Sequence, residues 1–250
     1  MGPAMLSNLD ECILQAQSLL ARLLATALEG RAASRDQYAR HLSFHYHLVK
    51  DVRDDLLAAA GHHDLARRSG LRDFLQRLAN EEEMRYLVAA KDLAAMGRAP
   101  LPVNIDVELW HAYFRPLTRE RPFIRLGAIA LVENLVGGPA GPQMERTLQG
   151  SFLNGSNTRF VLQHWREGRT PGRDLLDALH GAALERRHVQ DLVEGADKAT
   201  VLYLRMVEWA LENDSLARIC DASGAVISPQ EARRIAEFKE GDSKAFRVPA

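Results

Sequence analysis

The chain has 250 residues, 46% hydrophobic and 26% charged, which suits one globular domain with a sizeable core, or at most two small ones. A formal net charge of -1 gives no global pull toward nucleic acid or an anionic membrane, and short basic pairs such as Arg67-Arg68 and Arg186-Arg187 stand beside acids, as solvated helix faces do. No uninterrupted apolar run approaches the ~20 residues of a membrane span, and Asp10 and Glu11 come too early for a secretory leader, so a cytoplasmic protein is expected.

In chain order, residues 8 to 28 place Leu9, Ile13, Leu20, Leu24 and Leu28 near one helical face, with Gly30 as the stop. Cys12 lies on this segment and reads as a small buried residue; with Cys220 far away, no disulfide framework follows. Ser34 to Gln37 is a capping box that opens a helix to about residue 60. Residues 71 to 96 read as one helix ending at Gly97, and "GRAPLPVN" as a loop whose Asn104 caps a short helix through Tyr113. "RPFIRLGAIALVENLV", residues 121 to 136, is mostly apolar on all sides and belongs in the middle of a bundle. "GGPAGP" breaks the chain, and a short helix over 143 to 152 and the turn "LNGSN" follow. Asn157 can cap a helix through Glu167, which "GRTPG" stops. Residues 173 to 195 and 197 to 212 make the last large helices. A hairpin-like "CDASGAVIS" and a short helix opening at Ser228-Pro229 form a C-terminal extension over 214 to 250, with a loose end. No strand run long enough for a sheet appears, so the fold class is all-α: one helical bundle over residues 1 to 213.

Glu133 is the sharpest candidate for chemistry. It stands among Leu131, Val132, Leu135 and Val136, and a buried carboxylate needs a metal, a histidine, an arginine or a helix-end position as compensation. His164, beside Trp165, is either a hydrogen-bonded core residue or a proton carrier. His41 and His45 share a face at i and i+4, a spacing that can chelate a metal, yet with His47 among aromatics they read first as surface and boundary residues. His180 and His188 read as surface residues, and His62-His63 as an uninformative loop pair. A glutamate followed three positions on by a histidine suggests a metal site; Glu82 is followed instead by Arg85. Phosphate-loop, nucleophile-elbow and zinc-protease signatures are absent from the sequence.

The order of these segments resembles the heme-oxygenase-like helical bundles, within them the diiron oxidases and oxygenases called iron-containing redox enzymes, with the TenA thiaminases and pyrroloquinoline quinone synthase as wider relatives. The resemblance rests on "EEEMRYLVAAKDLAAMG" through Val88, Ala89, Asp92, Leu93 and Gly97, on "RLGAIALVEN" with Glu133, on "FVLQHWREGRTP", and on "DLVEGADKATVLYLRMV". It covers roughly residues 35 to 210. Carried over by this resemblance, the metal ligands fall on Glu82, Glu133 and His164, which are retained, and on Arg85, Gly168 and Pro171, which cannot ligate. A permanent cation at Arg85 repels a divalent ion and pairs with Glu82 or with Glu133. Gly168 and Pro171 end the helix about a turn after His164. A rival alignment uses His180, Glu185 and His188, with a spacing off by one residue.

The resemblance implies a bundle cavity holding Glu82, Arg85, Glu133 and His164. The leading expectation is a degenerate diiron site without a cofactor. Arg85 and Glu82 then bind a small anionic metabolite, and His164 and Glu133 perform acid-base or oxidative chemistry in a biosynthetic setting. One alternative is a non-catalytic bundle that binds a ligand or partner. Another is an iron oxidase or oxygenase that uses Glu82, Glu133 and His164. A homodimer is implied by the resemblance alone.

Overall fold

This computed structural model describes residues 6–166 and 171–213, without the side chains of residues 164–166 and 171. The expected C-terminal extension, with Cys220 and Ser228-Pro229, lies outside the described residues, as does Gly168. Among the described residues there are α-helices and 3-10 turns and no strand.

The stripe of Leu9, Ile13, Ala16, Leu20, Leu24 and Leu28 forms the buried face of α1 (Ser7–Leu28), and Glu29 ends the helix in a left-handed conformation. The Ser34 capping box opens α2 (Arg35–Val49) as expected. The expected continuation to residue 60 is broken, because α3 (Val52–Ala60) begins anew after Asp51. Asp51, Asp54 and Asp55 crowd that junction, and acids are favoured at a helix N-terminus and disfavoured inside its last turn.

The helix expected over 71 to 96 is likewise two: α4 (Ser69–Glu81) and α5 (Arg85–Ala95), joined through Met84 at φ 63. The glutamate run supplies a reason. Glu81 to Glu83 oppose the negative end of α4's dipole but lie just ahead of the positive end of α5.

Asn104 caps α6 (Ile105–Glu120), its Oδ1 accepting the Val107 N–H at 3.0 Å; the helix runs on through Pro116, past the expected end at Tyr113. Pro122 occupies the first turn of α7 (Pro122–Asn134), where its missing N–H costs nothing. Every α7 residue from Pro122 to Leu131 is buried, which explains the all-round apolar sequence. Residues 122–147 are long and apolar enough by composition to cross a membrane, but the helix ends at Asn134 and sits at the core of the bundle. A 3-10 turn, α8 (Gly141–Thr147), α9 (Arg159–Arg166) and α10 (Pro171–His180) follow, then α11 (Arg186–Ala210). The boundary between the last two large helices thus falls at residues 181 to 185, and not near 196.

α7 packs chiefly on α11, with α6, α10 and α1 around it; α2 lies against α5 and α11. Two glycines make the central crossing possible. A Cβ on Gly127 would stand 2.0 Å from the Leu192 carbonyl oxygen, and one on Gly195 would stand 1.9 Å from that of Ile124. The two helices therefore touch backbone to backbone. This contact sets how deep α7 sits, and so where Glu133 at its C-terminal end opens into the space between helices.

Candidate functional site

The central cavity has a volume of about 690 Å³ and lies between α1, α2, α7, α9 and α11. Its polar lining includes Glu82 at the C-terminal end of α4, Glu133 on α7, His41 and His45 on α2, and Tyr203 on α11, with Arg173 and Glu145 at the rim. Phe160, Val161 and Leu48 supply apolar wall.

Glu82 is buried while Glu81 and Glu83 are exposed. Arg85 donates from Nη1 to Glu82 Oε1. Its guanidinium lies 5.7 Å from the Phe160 ring centroid. Of the two expected partners, Glu82 thus holds Arg85 directly. Arg85 is not among the residues that line the cavity. Burial raises the Glu82 carboxyl above its ordinary value, against the pull of Arg85.

Glu133 is pushed up to about 7 by burial first, then by the nearby Glu82 charge, with Arg85 opposing. It is therefore a carboxyl that titrates near neutrality on a cavity wall.

His45 is buried, contrary to the surface or boundary reading. Its Nδ1 lies 3.0 Å from the His41 carbonyl oxygen and its Nε2 3.0 Å from the Tyr203 hydroxyl. A carbonyl oxygen only accepts, so Nδ1 carries the proton and Nε2 accepts from the phenol. Burial and the charge of Glu133 raise the Tyr203 pKa, which keeps that phenol protonated as the donor. Burial alone lowers His41 to about 4, so its imidazole is neutral at physiological pH. No local spacing signals the His45–Tyr203 pair, whose members stand 158 residues apart.

The side chain of His164 lies outside the described residues; its helix, α9, is described. Asn157 does not cap α9. It is buried and folds the preceding turn: its Oδ1 accepts the Asn154 N–H at 2.8 Å, and its Nδ2 donates to the Phe152 carbonyl at 3.0 Å. Asp92 of α5 holds the start of α9. It is fully buried and accepts the Phe160 N–H at 2.8 Å and Arg159 Nε at 3.3 Å. Pro171 opens α10, so the last ligand position of the resemblance falls at a helix start.

The rival set does not converge. His180 ends α10 exposed, with Nδ1 on its own helix's Leu176 carbonyl, and Glu185 caps α11. His188 is buried, not on the surface, and stacks on Phe123 at 4.3 Å between centroids. Cys12 is half-buried; burial and Asp197 push its thiol up to about 11, which leaves it unreactive.

This arrangement is that of a helical bundle with a polar internal cavity, and comparison with known structures places it. A domain of unknown function with a heme oxygenase-like fold from Shewanella denitrificans OS217 aligns at a TM-score of 0.72 and 19% identity, covering 88% of this chain and 97% of that one. A CADD-like protein of unknown function from Nostoc punctiforme PCC 73102 aligns at a TM-score of 0.61 and 15% identity, covering 82% of this chain and 98% of that one. The fold is heme oxygenase-like. No family model matches the sequence, and no curated protein does.

The described donors of the cavity do not by themselves make up a diiron centre. A pair of irons calls for four or more carboxylates and imidazoles converging on shared positions. Among the described residues, no three histidine, aspartate or glutamate ligand atoms in the cavity lie within 4.8 Å of one another. Glu82, the first carboxylate of the expected set, is ion-paired with the Arg85 guanidinium, which cannot itself ligate a metal.

Proposed function

We propose that the protein binds a small organic anion in the bundle cavity and exchanges a proton with it through Glu133, as a metal-independent acid-base enzyme. The observation that carries this reading is Glu133 itself, a cavity carboxyl with a pKa of about 7, matched to proton transfer at physiological pH. The cavity volume of about 690 Å³ is of the size that small-molecule sites occupy. The Glu82–Arg85 pair cancels its own charge and burial keeps His41 neutral, so the protonation of Glu133 changes the charge of the cavity.

The anchor for the anion differs from the expected one. Arg85 is committed to Glu82, whereas Arg173 is the cation among the described lining residues and stands exposed at the rim. Its present partner Asp177 is a surface ion pair at 3.6 Å, which a ligand carboxylate can replace at small cost. The ligand then places its anionic end at Arg173 and its reacting end near Glu133.

The test is a thermal-shift screen of small mono- and dicarboxylates at pH values on both sides of neutrality. Binders are expected to raise the melting temperature of the wild type, to lose most of that effect in Arg173→Ala, and to lose its pH dependence in Glu133→Gln. Carboxylate binding that is unchanged in both variants would remove the basis of the proposal.

A further inference from the structure

A second cluster lies outside the lining of the central cavity, at the turn between α3 and α4. The sequence "GHHDL" places His62 in extended backbone just before a 3-10 turn over His63–Leu65, and this geometry turns three potential ligands to one side. One ligand atom each from His62, His63 and Asp64 lie within 4.8 Å of one another. His62 Nδ1 is 3.9 Å from Asp64 Oδ2, and His63 Nε2 is 3.7 Å from Asp64 Oδ1. Ligands about 2.1 Å from a tetrahedral ion stand roughly 3.4 Å apart, so small side-chain rotations close the set.

A second observation comes from α11. The side chain of His188 is 1% exposed, and its Nε2 has no hydrogen-bond partner and lies 3.9 Å from Asp64 Oδ2. Its Nδ1 accepts the Glu185 backbone N–H at 3.1 Å and faces Arg68 Nη2 at 3.3 Å, so Nε2 carries the proton. A buried N–H left without an acceptor is costly. Here it points at the carboxylate of the trio, as groups that orient a metal-ligating carboxylate do.

We propose that His62, His63 and Asp64 bind a divalent transition-metal ion of the zinc type, with His188 orienting the Asp64 carboxylate from behind. Two imidazoles and one carboxylate are a donor set that zinc accepts, with a position left open. His63 and Asp64 line a cleft of about 510 Å³ together with Arg67, Arg68, Glu185 and Arg187. His62 Nδ1 accepts the Asp64 N–H at 3.1 Å, so this nitrogen is unprotonated, and a metal bound there replaces that hydrogen bond.

The cation on the Asp64 carboxylate is less firmly placed than Arg85 on Glu82. Arg187 Nη2 touches Asp64 Oδ1 at 3.1 Å, but its side chain is 60% exposed and its Nε is held by Glu185. It can swing away from the incoming ion and keep a partner.

Calorimetric titration of tag-free full-length protein with zinc chloride near neutral pH tests this. One equivalent is expected to bind, and cobalt(II) in its place to give the visible absorption of a low-symmetry nitrogen and oxygen site. His63→Ala should weaken zinc by roughly tenfold or more. His63 is 83% exposed, so this variant keeps the fold, which circular dichroism verifies. His188→Gln should weaken zinc by a smaller factor. Absence of saturable zinc binding, or equal affinity in the wild type and His63→Ala, would overturn the site.

Discussion

Glu133 carries a cost that changes with pH. Its carboxyl has a folded-state pKa of about 7 against an ordinary value of 4.5. A raised carboxyl binds more protons in the folded than in the unfolded state between those values. Stability contributed by this position is therefore fully present below pH 4.5 and falls as pH rises toward 7. Replacement by a neutral isostere removes the dependence. Glu133→Gln should be more stable than the wild type above pH 7, by about 2 kcal/mol after allowing for water in the cavity. The advantage should vanish below pH 4.5; urea unfolding across this range measures it. A constant difference at all pH values would contradict the assignment. At this scale the sequence was partly legible. Glu133 stood out because its neighbours are apolar, and Glu82 because the resemblance selected it from three adjacent glutamates. His45, Tyr203 and Asp92 did not stand out, since their partners arrive from distant helices and no local spacing records them. Nothing around His188 in the sequence showed that its helix would turn it inward onto Phe123 and Asp64.

Whole helices were read well where apolar spacing alone defines them, as in α1 and α7, and less well where charge decides the ends. The breaks at Asp51 and at Met84 both fall at runs of acids, where the next helix N-terminus is a better place for negative charge than the previous C-terminus. Periodicity does not register such breaks, because the apolar stripe continues across them. The α7–α11 crossing is the element-level feature on which the site depends. Gly127 was visible in the sequence only as part of a motif; its physical role is to let two backbones touch. Gly127→Ala should cost about 3 kcal/mol or more, since the added methyl meets backbone and cannot be relieved by a rotamer change. Gly97→Ala serves as control. That glycine has φ 70 with nothing near its Cβ position, so only conformational strain of about 1 kcal/mol is added. Thermal melts of the two variants should rank clearly, and equal losses would mean that the close crossing does not limit stability.

For the molecule as a whole, the fold and its chemistry separate. The heme oxygenase-like bundle was legible because several weak motifs keep their order over most of the chain, and each also has a structural task. Asp92 holds the start of α9, Gly127 sets the α7–α11 crossing, and Gly97 ends the chain's turn out of α5. These tasks persist whatever the cavity contains, so the motifs identify architecture and leave the reaction open. The reaction depends on charge inside the cavity. A diiron centre brings several positive charges that carboxylates must offset, whereas here Arg85 already offsets Glu82, and Glu133 is shifted toward its neutral form. Protein purified from iron-rich medium should therefore carry well below one equivalent of iron in this cavity. The outer His62–His63–Asp64 cluster could hold iron of its own, so the measurement belongs in the His63→Ala background as well as the wild type. Iron that survives His63→Ala at one equivalent and disappears in Glu133→Ala would place it in the bundle and refute the metal-independent reading. Iron that disappears in His63→Ala alone would place it at the surface cluster and leave the cavity to proton chemistry.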